Sequence, residues 1–194
     1  MFSAETLEDA LSTLAAVLSS RNQRYDVVAI GGGALHLLGA IKRPTKDLDI
    51  VALVLEGELA TSKPFPSPLA QACADVTRAL DLAEDWINPG PTDLLTFGLP
   101  EGMLARAERR DYGDGLVVRV ASRLDQIHFK LYAAADGWPL PNKHLQDLKR
   151  LAPRPEELRA AARWTTTHDT SEGYRLLCLA VLEHLGTGAS LDDE

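Results

Sequence analysis

The chain of 194 residues carries 28 acidic and 20 basic side chains, a formal charge of −8, with 25% charged and 45% hydrophobic residues. That length accommodates one domain, or a small domain with a helical appendage, around a sizeable core. The negative balance excludes a protein that coats nucleic acid by charge alone, yet leaves room for an enzyme that gathers a few basic residues at one site.

Leu7, Leu11, Leu14, Val17 and Leu18 recur at helical spacing and predict an amphipathic helix over 4–20. Asp26 to Ile30 reads as a short buried strand running straight into Gly31-Gly32-Gly33, with a helix over 34–40. The basic loop Lys42-Arg43-Pro44-Thr45-Lys46 leads to a second strand over 47–55. The prolines at 64, 66 and 68 make 57–68 a loop, 69–86 is helical by spacing, and Asn88-Pro89-Gly90-Pro91 breaks the chain. A strand over 94–97, a short helix over 100–110 and a strand over 116–120, entered through Gly113-Asp114-Gly115, complete an α/β half over 1–121. From Ser122 onward only helices are expected, over 122–136, 142–151, 154–167 and 171–186, which makes 122–194 a helical half. Asp192-Asp193-Glu194 reads as a solvated tail.

Cys73 and Cys178 sit on apolar helical stretches, as reduced core cysteines do in a cytosolic protein. The first residues lack a basic region followed by an apolar run. The longest apolar runs, Ile50–Leu55 and Leu176–Leu182, fall far short of the roughly 20 residues that span a bilayer. A soluble, cytoplasmic protein without membrane attachment is expected.

Chemistry concentrates between residues 30 and 50. On a strand, residues two apart face the same side, so Asp47 and Asp49 project together while Leu48 and Ile50 enter the core. Two adjacent carboxylates repel unless a cation lies between them, and Mg²⁺ needs only one or two carboxylates alongside substrate phosphates. The three glycines supply the complement, a turn whose exposed N–H groups suit phosphate oxygens. A P-loop would require Gly-Lys-Ser/Thr, which the chain lacks, and a dinucleotide fingerprint aligned on Gly31 and Gly33 would place its third glycine at His36. Arg43, in the loop entering the carboxylate strand, suits bidentate pairing with triphosphate oxygens.

An apolar residue, Gly-Gly, a spacer and then Asp-apolar-Asp-apolar resembles the signature of the DNA polymerase β-like nucleotidyltransferase superfamily. Gly32, Gly33, Ala34, Arg43, Thr45, Asp47, Leu48 and Asp49 are similar to its minimal bacterial members, the AbiEii/MenT-type toxin nucleotidyltransferases of toxin–antitoxin systems. The resemblance continues in pieces. Ser122 to Ala133 is similar to a third block whose active-site lysine maps onto Lys130, where it can hold nucleotide phosphates. Lys143 to Leu148 resembles a fourth block whose last aspartate maps onto Asp147, with His144 standing where relatives carry an acid.

The resemblance implies a nucleotidyltransferase fold, an α/β (α+β) core over 1–121 with a small mixed sheet flanked by helices, followed by a helical bundle over 122–194 that completes the active site. It implies an NTP bound by Gly32, Gly33, Arg43, Thr45 and Lys130, and Mg²⁺, or Mn²⁺, on Asp47 and Asp49. Catalysis would rest on Asp47, Asp49, Lys130 and Asp147, the last as a base or a substrate-positioning acid. The acceptor hydroxyl could belong to a tRNA 3′ end, with a cognate antitoxin as partner. Alternatives are a transferase modifying a small molecule or a protein hydroxyl, and a non-catalytic nucleotide-binding or antitoxin-like module. Arg106, Arg109, Arg110, Arg119 and Arg123 offer either a basic path for RNA phosphates or a solvated face among acids. Trp86, Trp138 and Trp164 read as packing residues, and the histidines form no zinc spacing.

Overall fold

A computed structural model describes residues 1–140 and 142–187. The acidic end at 192–194 therefore lies outside the described residues. The fold is mixed α/β, a small mixed sheet flanked by helices and followed by further helices, consistent with a nucleotidyltransferase-like fold. The chain divides into two units, Met1–Ser122 and Arg123–Glu194.

In the first unit, helix α1 (Ala4–Ser20) begins at a capping box in which Ser3 and Thr6 satisfy each other's backbone N–H groups. Its buried stripe of Leu7, Leu11, Leu14 and Leu18 is the stripe expected from spacing. Strands β1 (Tyr25–Ile30), β2 (Leu48–Leu55), β3 (Glu58–Ala60), β4 (Ile87–Asn88), β5 (Glu108–Asp111) and β6 (Leu116–Val120) form one sheet ordered β3-β2-β1-β6-β5, with β4 alongside β2. β1 runs antiparallel to β2 and parallel to β6. One face presents Val27, Ala29, Leu48, Ile50, Val118 and Val120 to α1 and to helix α3 (Ser67–Leu80), closing over a core that includes Trp86.

Several expectations require correction. Helix α2 (Gly31–Leu37) starts at the first glycine rather than after the third, because Ile30 is still extended and serves as its cap. The loop after β2 contains a hairpin, since Glu56 and Gly57 both take positive φ, the geometry of a tight two-residue turn. α3 ends at Leu80 because Asp81 adopts the left-handed conformation, so Trp86 is not helical. The strand expected over 94–97 is a 3₁₀ helix, Gly90–Phe97, opened by a proline in its first turn. The helix expected over 100–110 is only α4 (Met103–Arg106), and the following Glu-Arg-Arg-Asp is the edge strand β5. Charged edges of this kind carry no apolar alternation for sequence reading to find.

The second unit consists of α5 (Arg123–Asp136), α6 (Lys143–Leu151), α7 (Pro155–His168) and α8 (Glu172–His184), close to the expected spans. α5 packs against the other three. Trp164 packs edge-on to Phe129 and His128, with ring centroids 5.4 and 5.8 Å apart, and Trp138 stands 5.1 Å from His184. Both are packing residues. Cys73 and Cys178 are buried and free, and burial pushes the Cys73 thiol up to about 12, which makes it a poor nucleophile.

Arg123 ties this unit together. Its guanidinium donates to the carbonyls of Leu151 and Ala152 at the end of α6 and, at 2.8 Å, to Glu157 in the first turn of α7. The Arg123 guanidinium holds the Glu157 carboxyl below its ordinary value of 4.5. A depressed carboxyl contributes stability above its unfolded value, and that stability is lost as pH falls through the folded one. Urea midpoints measured from neutral pH downward should therefore fall in the acid range, and Glu157→Gln should flatten that fall. The contribution is about 1 kcal/mol at most, because Arg123 is half open to solvent. An unchanged acid profile in Glu157→Gln would show that the pair adds nothing.

Candidate active site

The register of β1 against β2 determines the centre. Ile30 lies opposite Asp49 and Ala29 opposite Ile50, so the residue following Ile30 is delivered onto the Asp49 side chain. Along the incoming chain Asp47 and Asp49 are partly exposed while Leu48 and Ile50 are buried, the alternation expected of a strand with one solvated side. Asp47 itself stands one residue ahead of β2.

The glycines are required by contact. Gly31 has φ of +76°, and a Cβ there would collide with Asp49 Oδ2. A Cβ on Gly32 would lie 2.8 Å from Thr45 Oγ1 and 3.6 Å from Arg43 Nη2. One on Gly33 would lie 2.8 Å from the Asp47 carbonyl and 3.0 Å from Leu48 Cα. The triple glycine and the Asp-Leu-Asp segment are thus packed on each other. Gly31→Ala is expected to cost about 1–3 kcal/mol from forced positive φ plus the displacement of Asp49. Gly39→Ala is the control, because Gly39 has φ of +67° with open space around it. Thermal denaturation should show the larger loss at Gly31; equal losses would mean that Asp49 gives way freely.

The loop carrying Arg43 and Thr45 is anchored at several points. Phe2 and Thr45 exchange backbone hydrogen bonds of 2.7 and 3.2 Å, and the buried Phe2 ring packs 6.1 Å from Trp86. The Thr45 hydroxyl donates to the Asp47 carbonyl at 3.3 Å. The buried His36 ring on α2 hydrogen-bonds the Arg43 carbonyl through Nε2. Neither Phe2 nor His36 stood out in the sequence, because each acts through the backbone of a distant residue.

Chemically, the Arg43 guanidinium and the Thr45 hydroxyl lie over Gly32, and the Asp49 carboxylate lies against Gly31. A guanidinium beside a backbone free of side chains suits phosphate oxygens and carboxylates suit a hard metal ion, while the buried Thr45 hydroxyl already donates to the Asp47 carbonyl. Among the described residues no three His, Cys, Asp or Glu side chains gather as a metal-binding group. Asp47 and Asp49 accordingly fit a hard cation that takes its other ligands from water and substrate oxygens, as Mg²⁺ does, and do not fit a closed zinc site.

Lys130 and Asp147 lie in the second unit and are brought to each other. Lys130 Nζ is 2.9 Å from Asp147 Oδ2, with side-chain exposures of 3% and 0%. Neither a lysine reaching out to solvent nor an exposed helix carboxylate describes them. His144 is partly buried one turn earlier on α6. Of the two readings of the arginines, a basic path or a face among acids, the second describes Arg109, Arg110, Arg119 and Arg123. Arg109 meets Asp111, Arg110 meets Glu8 and the last carbonyl of α2, Arg119 grips Asp26 bidentately, and Arg123 meets Glu157. No helix among the described residues is long and apolar enough to cross a membrane.

No curated protein matches the chain. Residues 5–61, which contain Gly31–Gly33, Arg43, Thr45, Asp47 and Asp49, match a family model described as a nucleotidyltransferase of unknown function, DUF6036. This N-terminal segment, with the three glycines and two aspartates that its fold packs together, is similar to nucleotidyltransferases.

Proposed function

We propose that this protein is an Mg²⁺-dependent nucleotidyltransferase that moves a nucleoside monophosphate from an NTP to an acceptor hydroxyl. The observation that carries the proposal is the packing of Gly31–Gly33 against Asp47–Asp49, with Arg43 and Thr45 over Gly32. Arg43, Thr45 and the glycine backbone bind and orient the triphosphate, and Asp47 and Asp49 would hold the metal. A metal held there would supply acidification of the acceptor hydroxyl and charge to offset the departing pyrophosphate. The acceptor oxygen forms a bond to the α-phosphorus, the bond to the β-phosphate oxygen breaks, and pyrophosphate leaves with the negative charge. The hydroxyl proton passes to a carboxylate or to solvent. Lys130 and Asp147 enter this proposal through the family resemblance alone.

From the resemblance to AbiEii/MenT-type toxins, the acceptor is proposed to be the 3′ end of tRNA, with a cognate antitoxin restraining the activity. Because Arg110 and Arg119 are part-buried against Glu8 and Asp26, and Arg109 meets Asp111 at the surface, a terminus held locally suits these arginines better than a long RNA track. The same observation favours a second reading, a small-molecule or protein hydroxyl as acceptor. Purified protein incubated with Mg²⁺, each α-labelled NTP and total tRNA, beside an Asp49→Ala control, decides between them. Label on tRNA that requires Asp49 supports the first acceptor, and label on protein or a small molecule the second. No pyrophosphate release with any NTP and acceptor would contradict both.

A further inference from the structure

Asp49 has a partner that lies thirty-nine residues away in sequence. β4 runs parallel to the start of β2, with Ile87 opposite Leu48 and Asn88 opposite Asp49. The Leu48 N–H donates to the Trp86 carbonyl at 2.7 Å, which locks that register. The Asn88 side chain bridges two groups. The Gly90 N–H donates to its Oδ1 at 2.8 Å, and its Nδ2 donates to Asp49 Oδ1 at 3.1 Å. A backbone N–H can only donate and an ionised carboxylate can only accept, so one orientation of the amide satisfies both and the flipped one satisfies neither.

The turn that presents Asn88 is itself fastened to β2. Pro89 keeps the preceding residue extended. A Cβ on Gly90 would stand 3.0 Å from Asn88 Oδ1, so glycine leaves room for the acceptor. Thr92 Oγ1 accepts from the Ser62 N–H at 2.9 Å, and the Ser62 hydroxyl donates to the Ile50 carbonyl at 3.0 Å. Hydrogen bonds therefore tie the Asn88 turn to β2 on either side of the carboxylate.

We infer that Asn88 is the positioning residue of Asp49, holding its carboxylate in the rotamer that binds a divalent cation. The cation's role rests on the nucleotidyltransferase proposal; the Asn88–Asp49 contact does not. An amide suits the position, since it orients the carboxylate without adding a negative charge that would repel it. Outer partners of this kind set metal affinity by about 10–100-fold.

The test is Mn²⁺ binding by calorimetry to the metal-free full chain and to Asn88→Ala, with kcat and KM measured in parallel. Affinity in Asn88→Ala should fall by about 10–100-fold, with kcat reduced and the KM for NTP little changed. Undiminished Mn²⁺ affinity overturns the inference. Should Asn88→Ala fail to fold, the side-chain amide resonance of Asn88 is followed in the unaltered protein and in Asp49→Ala. A shift of that resonance in Asp49→Ala, which removes the acceptor, supports the contact, and its indifference there overturns it. Weakened Mn²⁺ binding in a protein that transfers nothing would uphold Asn88 and remove the transfer proposal. Transfer with unweakened binding in Asn88→Ala would do the reverse.

Discussion

Asp49→Asn should lower nucleotide transfer by about a thousandfold while the protein stays folded. Stabilisation of developing phosphoryl charge by a bound metal is worth several kcal/mol, and each 1.36 kcal/mol is about tenfold in rate. The substitution is isosteric, and its amide oxygen can still accept from Asn88, so the fold loses little. Leu48 and Ile50, both wholly buried, hold the strand irrespective of the charge between them. Asp47→Asn should behave alike, and the double variant should fall little further, because two ligands of one ion act as a unit. Pyrophosphate release measured beside thermal midpoints checks this. Normal turnover in both single variants would mean that the carboxylates merely open a surface strand.

Lys130→Met should be strongly destabilising. It leaves the Asp147 carboxylate, 0% exposed, without its ammonium partner. Breaking a buried pair in this way costs about 3–5 kcal/mol. For a chain of this size that is a fall of about 10 °C in Tm. Replacing both members with apolar residues removes the buried carboxylate together with its ammonium, so Lys130→Met/Asp147→Leu should recover part of the loss. Equal midpoints for the single and double variants would contradict this account of the pair. The double variant also separates stability from chemistry. Folded but lacking both groups, it retains transfer if the pair is structural and loses it if the catalytic roles implied by the family resemblance carry over to this chain.

What could be read in the sequence follows from where the physics is local. The helical half was legible because Leu145, Leu148 and Leu151, or Leu158, Ala161 and Ala162, mark buried faces at helical spacing. The Asp47–Asp49 pair was legible because strand alternation alone separates it from Leu48 and Ile50. Within residues 56–115 only α3 was legible by its spacing, because the rest depends on partners elsewhere. β4 is two residues long and exists only through pairing with β2, so Asn-Pro-Gly-Pro read as a break and Asn88 went unnoticed. β5 has no apolar face, and only its ladder to β6 makes Glu-Arg-Arg-Asp a strand. Along that strand Arg109 meets Asp111 and Arg110 meets Glu108, each two residues away, which favours the reading of these arginines as a face among acids.

The central claim is that this site transfers a nucleotidyl group, and the position of the label decides it. Parallel reactions would contain Mg²⁺, acceptor and an NTP labelled at either the α- or the γ-phosphate. The account predicts that the α-label becomes covalently attached to the acceptor while the γ-label leaves as pyrophosphate, both only with Asp49 intact. Attachment of the γ-label would show phosphoryl rather than nucleotidyl transfer and contradict it.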